Sequence, residues 1–300
     1  MKLSLAVAKV LACAVIIGTE CPDAQIAPTD DFAAYWNQGN AEITSYKLTQ
    51  ARYGELREGH AVLVFVTEDF SREKQVKLDN YETAGADRQK VLKLNLVKKF
   101  TTGIYPYSLM TSVFMPVESG TEPAVVKVTT SSQEWCGNTF LQLNLGAEGY
   151  VGKGFSYFES EGDRTFTLPL TYLEDEIWTR IRVRPETLPI GELDMVPGTL
   201  FQRLSHVDPA VQHVVAERTN SDGRVTYRLT YPALDRTLAV TFEDAFPYRI
   251  LDWTESGMSG FGSERRELTT VAVRDTTIML DYWNHNSNVD ESYRRLLHLE

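Results

Sequence analysis

The side chains in this sequence best suited to chemistry are the carboxylates of one stretch, residues 126–163, which holds Glu134, Glu159, Glu161 and Asp163. Two carboxyl groups held some ångströms apart serve as general acid and general base in glycoside hydrolysis, and Glu134 with Glu159 or Glu161 is the pair on offer. Carboxylates in the loops of an acidic protein are more often solvated than catalytic, because only a minority sit where burial or a neighbouring charge tunes them. The same stretch holds Cys136, between Trp135 and Gly137. A nucleophilic thiolate needs a base close in space, yet His60, His206, His213, His285 and His298 are scattered with no motif around them. Cys136 therefore reads as a small buried packing residue. HExxH, GxSxG and CxxC are absent, as is any His-rich set. Zinc protease, α/β-hydrolase and thiol-redox chemistry have no support, no catalytic residue is assigned, and no metal or cofactor is expected.

The elements that would hold these residues are strands. Leu141, Leu143 and Leu145 alternate with Gln142 and Asn144, and Phe155 and Tyr157 flank Ser156, which is the two-residue period of strands with one buried face. Gly146, Gly149, Gly152 and Gly154 supply a turn and a bulge between them, so the stretch reads as a hairpin. The GxxxxGK[ST] and GxGxxG patterns of a phosphate cradle are missing.

Upstream, 28–39 predicts a short capped helix and 43–52 a strand. Residues 61–66, apolar on both faces, predict a strand covered on both sides. Strands at 75–79 and 92–97 follow, around a polar surface loop at 79–89. Residues 98–117 carry Tyr105, Tyr107, Met110, Phe114 and Met115 and break at Gly103 and Pro106 into two short strands or one kinked strand. These side chains suit the wall of a ligand pocket, and they suit plain core equally, which is the more frequent fate of buried aromatics.

Beyond the hairpin, Leu173, Ile177, Trp178 and Ile181 fall on one side of a helix over 172–184. Glu174, Asp175 and Glu176 crowd its first turn, where they favour the positive end of the dipole and are expected to be solvated. Pro185 and Pro189 close it and open a linker. The last third is a strand meander: 225–231 and 238–242 after a hairpin turn at Asn220-Ser221-Asp222-Gly223, then 249–253, 267–273 and 277–283, with a Gly-rich loop at 257–262 and a closing helix at 288–297 capped by Asn288 or Asp290. Consecutive strands joined by short turns make an antiparallel sheet. The expected fold is mainly β, a β-rich α+β chain with a curved antiparallel sheet or half-barrel and a few short helices. It forms a single domain over 28–300, dividing, if anywhere, near 185–190.

A net charge of −11 argues against nucleic acid as a partner, because binding phosphates needs clustered Lys and Arg. At the N-terminus Lys2 precedes an apolar run over 3–18, broken by Lys9, which fits a secretory leader over 1–27. Val10-Leu11-Ala12-Cys13 is similar to a lipobox, in which Cys13 would be acylated and tie the N-terminus to a membrane. The alternative is a simple cleaved signal ending near Ala24 or Ala27. Cys21 follows Glu20, where a small residue is needed, and at most Cys21 and Cys136 then remain, so no disulfide framework is expected.

The segments YWNQGNAEITSYKLTQARYGELREGHAVLVFVTEDF (35–70), KFTTGIYPYSLMTSVFMPV (99–117), VKVTTSSQEWCGNTF (126–140), YFESEGD (157–163) and LEDEIWTRIR (173–182) resemble an uncharacterised family of bacterial envelope lipoproteins. Its members often carry the label "septum formation inhibitor Maf". The resemblance covers about the first 180 residues and implies a location, in the periplasm or at the outer membrane, with no mechanism attached. The label implies a nucleotide pyrophosphatase with an early Ser-x-Ser-Pro-Arg-Arg type motif, which this chain lacks. The expectation is an exported or lipid-anchored envelope protein that binds an apolar small molecule or lipid without enzymatic turnover. Tyr105, Tyr107, Phe114, Trp135 and Tyr157 would line its groove, with Glu134 and Glu159 beside them. The rivals are an envelope hydrolase using the carboxylate pair and a structural or adhesive surface protein.

Overall fold

Residues of period two run through most of this chain, and their inward phases meet on one continuous surface. The computed structural model describes residues 28–120 and 122–299; the leader with Cys13 and Cys21 lies outside them. A first run of strands, β1 (Ala41–Arg52), β2 (Glu55–Ser71), β3 (Arg88–Thr102), β4 (Tyr105–Pro116), β5 (Lys127–Glu134), β6 (Gly137–Gly146), β7 (Gly149–Ser156) and β8 (Arg164–Pro169), steps outward, each strand antiparallel to the one before it. The chain then crosses to the opposite edge through β9 (Tyr172–Leu173), a 3-10 turn (Glu174–Glu176) and helix α2 (Ile177–Val183). From there β10 (Gly191–Val196), β11 (Gln212–Ser221), β12 (Arg224–Tyr231), β13 (Arg236–Glu243), β14 (Ile250–Ser259) and β15 (Arg266–Leu280) step back inward. The two runs join where β15 pairs with β1. The result is one open fifteen-stranded sheet, mainly β, antiparallel throughout except for the β9–β10 pair.

The crossover fills the hollow of this sheet. Helix α2 packs on β3 and β4, its Trp178 meets Trp253 of β14 edge to face at 5.2 Å, and its Arg182 reaches Glu42 of β1. Contacts from one short helix to strands so far apart in the order require a strongly bent sheet. Every residue of α2 is buried. A seven-residue helix is too short to persist alone, so the surrounding strands hold it in place. Helix α1 (Asp30–Trp36), capped by the Thr29 hydroxyl accepting from the Phe32 amide at 3.2 Å, sits at one end of the hollow, where Trp36 packs on Phe65. Helix α3 (Thr199–Ser205) lies toward the other end.

Strand β2 is apolar on both sides for a visible reason. Ala61, Leu63 and Phe65 join the main core, while Val62 and Val66 meet Leu297 and Leu299, brought over the outer face by α4 (Glu291–Leu296). The turn between β11 and β12 places Asp222 and Gly223 at φ of 51° and 73°, the left-handed pair that a two-residue hairpin turn requires.

Several expectations are corrected. Residues 75–79 form no strand; Lys77 makes one isolated bridge to Phe70. The strands expected at 267–273 and 277–283 are one, β15, which ends at Leu280. Gly152 and Gly154 lie inside β7, beyond the turn, and a side chain at Gly152 would run into the Phe166 ring at 2.3 Å. Residues 185–189 are no free linker: a 3-10 turn with Pro185 and Thr187 buried leads into β10. The largest departure is at Glu174, Asp175 and Glu176, expected in solvent and found 3%, 7% and 0% exposed.

Candidate functional site

Strands β3, β13 and β14 each carry a charged residue on a row that is otherwise apolar. On β3 the inward phase runs Leu92, Leu94, Leu96, Lys98, Phe100; on β13 it runs Arg236, Leu238, Val240, Phe242; on β14 Trp253 and Glu255 share it. Strand alternation turns all of these into the hollow. There Arg236 grips Glu174 through two hydrogen bonds of 2.5 and 2.7 Å and Glu255 through a third of 2.8 Å, with its guanidinium 4.2 Å from the centre of the Phe201 ring. The planar guanidinium suits this double grip. Glu174 reaches it because residue 198 is glycine: a β-carbon there would stand 2.5 Å from the Glu174 carboxylate.

These charges tune one another. Burial pushes the Glu255 carboxyl up, but Arg236 and Lys98 outweigh it and hold the group below its usual range. Asp175 has no arginine. It accepts from the Thr199 amide at 3.0 Å and the Thr199 hydroxyl at 3.1 Å, and burial raises its pKa to about 7 in spite of them. Burial likewise lowers the Lys98 ammonium, with the Glu255 charge opposing. Lys98 is 5% exposed, and among the described residues its amine has neither a hydrogen bond nor an ion pair within 4.0 Å.

Beside this cluster the hollow is not filled. A cavity of about 520 Å³ lies between α3, the end of β1 and the 255–262 segment, within the range of small-molecule sites. Leu200, Phe201, Leu204 and Phe261 give it apolar walls, while Gln50, Lys98, Arg236 and Glu255 give it a polar one. The Gln50 side-chain oxygen is buried and without a hydrogen-bond partner. A smaller void of about 40 Å³ shares Lys98, Arg236 and Glu255 and adds Glu174, Asp175 and Trp178. At the rim the rings of Tyr53 and Phe261 stand 6.0 Å apart.

The residues singled out from sequence are placed differently. Tyr107 is buried, its hydroxyl 2.8 Å from that of Tyr53, and so adjoins the cavity rim. Tyr105 bridges Tyr107 and Trp135 at 5.8 and 6.2 Å. Trp135 and Tyr157 are 68% and 71% exposed. Phe114 is on the other face of β4, stacked on Phe70 at 4.9 Å. The five aromatics therefore form no common groove. Glu134 is buried and accepts from the Cys136 amide at 2.6 Å, and Glu159 is exposed.

Glu161 is engaged elsewhere. Ser156 donates to one of its oxygens at 2.7 Å, while Arg203 at 2.8 Å and His206 at 2.9 Å hold the other. Burial works against the charge, but these partners outweigh it and keep the carboxylate ionised, which suits no general acid. The serine bonds to the carboxylate and not to the imidazole, so no base activates it. The Cys136 thiol is exposed and raised by its contact with Glu134, the opposite of what a nucleophile needs. Among the described residues no three of His, Cys, Asp and Glu gather as metal ligands would, and no helix is long and apolar enough to cross a membrane.

The chain matches no protein-family model, and neither curated proteins nor solved structures give a significant match. The case for function rests on the cavity. Its key residues carried a signal that sequence reading passed over: Lys98, Arg236 and Glu255 each put a charge on the apolar phase of a strand, where charge is costly unless paired or used.

Proposed function

We propose that this chain is an exported cell-envelope protein that binds a small amphipathic molecule in the cavity between α3 and the ends of β1 and β14. One observation carries the reading: the 520 Å³ cavity is lined both by apolar side chains, Leu200, Phe201 and Leu204 among them, and by the buried polar side chains of Gln50, Lys98 and Arg236. Such a lining favours a ligand with an apolar body and one polar end. Export draws its support from the charged and apolar pattern of residues 2–18, and the envelope location from the family resemblance.

The ligand differs from the purely apolar one the aromatic residues suggested. Helix α2 occupies the middle of the hollow, and the space left over is bordered by charge.

Native mass spectrometry of the full chain, expressed through the envelope and purified without detergent, tests the reading. A stoichiometric small-molecule adduct is expected, and Gly257→Leu should abolish it. Gly257 lines the cavity, and a β-carbon there meets its nearest neighbour at 3.5 Å, so the larger side chain extends into the void. An adduct retained in Gly257→Leu would place the ligand elsewhere. No adduct, together with no thermal shift from any of a panel of amphipathic acids, alcohols and aldehydes, would overturn the proposal.

A further inference from the structure

Lys98 is the buried group that the rest of the interior leaves unused. Three buried arginines are paired with carboxylates, Arg236 with Glu174 and Glu255, Arg182 with Glu42 and Arg180 with Glu176, and Arg52 donates to the Leu204 carbonyl and to the Tyr53 and Tyr107 hydroxyls. Lys98 stands among these charges without taking one, its amine 5.9 Å from the centre of the Trp253 ring. It borders both the large cavity and the small one beside it. Two carboxylates lie nearby, but arginine takes them first, because its fork makes several hydrogen bonds at once.

An amine in this position has a chemistry that an exposed lysine lacks. Desolvation favours its neutral form, whose nitrogen lone pair is a nucleophile, and a lysine beside an apolar surface is the usual setting for imine formation with a carbonyl. We propose that Lys98 captures a carbonyl-bearing ligand, an aldehyde or ketone with an apolar body, as a reversible imine. This rests on the cavity reading given above.

The step balances without a further reactant. The amine nitrogen attacks the carbonyl carbon and the carbonyl oxygen takes up a proton, giving a carbinolamine. Loss of that hydroxyl as water, with the second amine proton released, leaves the carbon–nitrogen double bond, so R–CHO and the amine become the imine and one water. No oxidant or reductant takes part. Asp175 borders the same small void as Lys98, and a carboxyl that keeps its proton to near neutrality suits the role of acid for the departing hydroxyl. Once formed, a protonated imine would face the Trp253 ring and the Glu255 carboxylate, both favourable to a cation.

The test uses the full chain with hexanal as probe and cyanoborohydride to fix any imine, followed by peptide mapping by mass spectrometry at pH 7. The competitors are internal: Lys47, Lys74, Lys99 and Lys153 are exposed. Burial favours the neutral, nucleophilic form of the Lys98 amine, so Lys98 should be modified several-fold faster than any of them. Gly257→Leu, which narrows the cavity, should suppress that excess while the surface lysines react as before. Labelling of Lys98 no faster than the exposed lysines would overturn the proposal. Binding of hexanol, followed in parallel by native mass spectrometry, separates the two readings. Hexanol bound with Lys98 unmodified means a noncovalent cavity and ends the imine; neither hexanol nor hexanal bound ends both. Wild-type labelling needs no variant, so a failure of Gly257→Leu to fold does not spare the proposal.

Discussion

The two ends of the hollow solve the problem of buried charge in opposite ways. At the α1 end Arg182 donates to both oxygens of Glu42 at 2.5 and 2.7 Å and to the Pro247 carbonyl at 3.0 Å, and the Tyr35 hydroxyl donates to Glu42 at 2.5 Å. The guanidinium also lies over Trp36 and Phe65 at 5.0 and 4.8 Å. Arg182 holds Glu42 ionised against the pull of burial. At the α3 end Arg236 is satisfied in the same manner, but Lys98 is not, and there the cavity opens. A buried ion pair with all its hydrogen bonds made is a structural device that fixes how chain segments meet, and it is expensive only when one partner is removed. An unpaired amine at a void has no such partner in the chain and is free to meet whatever enters the cavity.

Four measurements break or sharpen this contrast. The largest effect belongs to Arg182→Met, which strands Glu42 in the interior. Equilibrium urea denaturation should show a loss of about 3–5 kcal/mol, partly recovered in the double variant with Glu42→Gln. A loss below about 1 kcal/mol would mean that the paired end tolerates lone charge and that the contrast is empty.

Next comes Asp175. Its pKa rises from 3.8 to about 7 on folding, so the folded protein keeps a proton that the unfolded chain has released. The stability this contributes is complete below 3.8 and disappears as pH climbs through about 7, with a total on the order of 4 kcal/mol. Urea midpoints taken across that window should fall for the wild type relative to Asp175→Asn. Parallel curves would show that the carboxyl is not desolvated as the geometry has it.

Lys98→Met should act in the opposite direction to Arg182→Met. It removes a desolvated amine without leaving a carboxylate alone, since Glu255 retains Arg236, and a gain of about 1–3 kcal/mol in thermal or urea unfolding is expected. A loss of that size would reveal a partner for the amine and close the gap between the two ends.

Trp135→Ala should do least. The ring is 68% exposed, and surface changes of this kind usually move stability by no more than about 0.5 kcal/mol. The variant should also retain any ligand recovered with the wild type, and its loss would return attention to the aromatic stretch.

Much of the sheet was legible in the residues. Leu92, Leu94 and Leu96 mark β3 by alternation, Asp222-Gly223 marks the β11–β12 turn, and Thr29 ahead of an apolar helical turn marks α1. The β10–β11 region was not read, because Gly191–Val196 and Gln212–Ser221 alternate weakly and leave much of their length exposed. The aromatics at 105–157 suit a pocket wall by type, but Phe114 and Tyr107 differ by an odd number of residues and so take opposite faces of β4. Parity alone shows this.

The sequence by itself determined most of the strands, several of their turns and the mainly β class, because alternation, left-handed turn residues and helix caps act between residues close along the chain. Only the tertiary structure decided that residues 174–184 leave solvent and occupy the hollow. That choice is made by partners far apart: Arg182 meets Glu42 across 140 positions and Arg236 meets Glu174 across 62. No local pattern encodes which distant partner will be waiting, so three acidic residues that look like a solvated helix start become buried side chains, two of which, Glu174 and Asp175, border the small void.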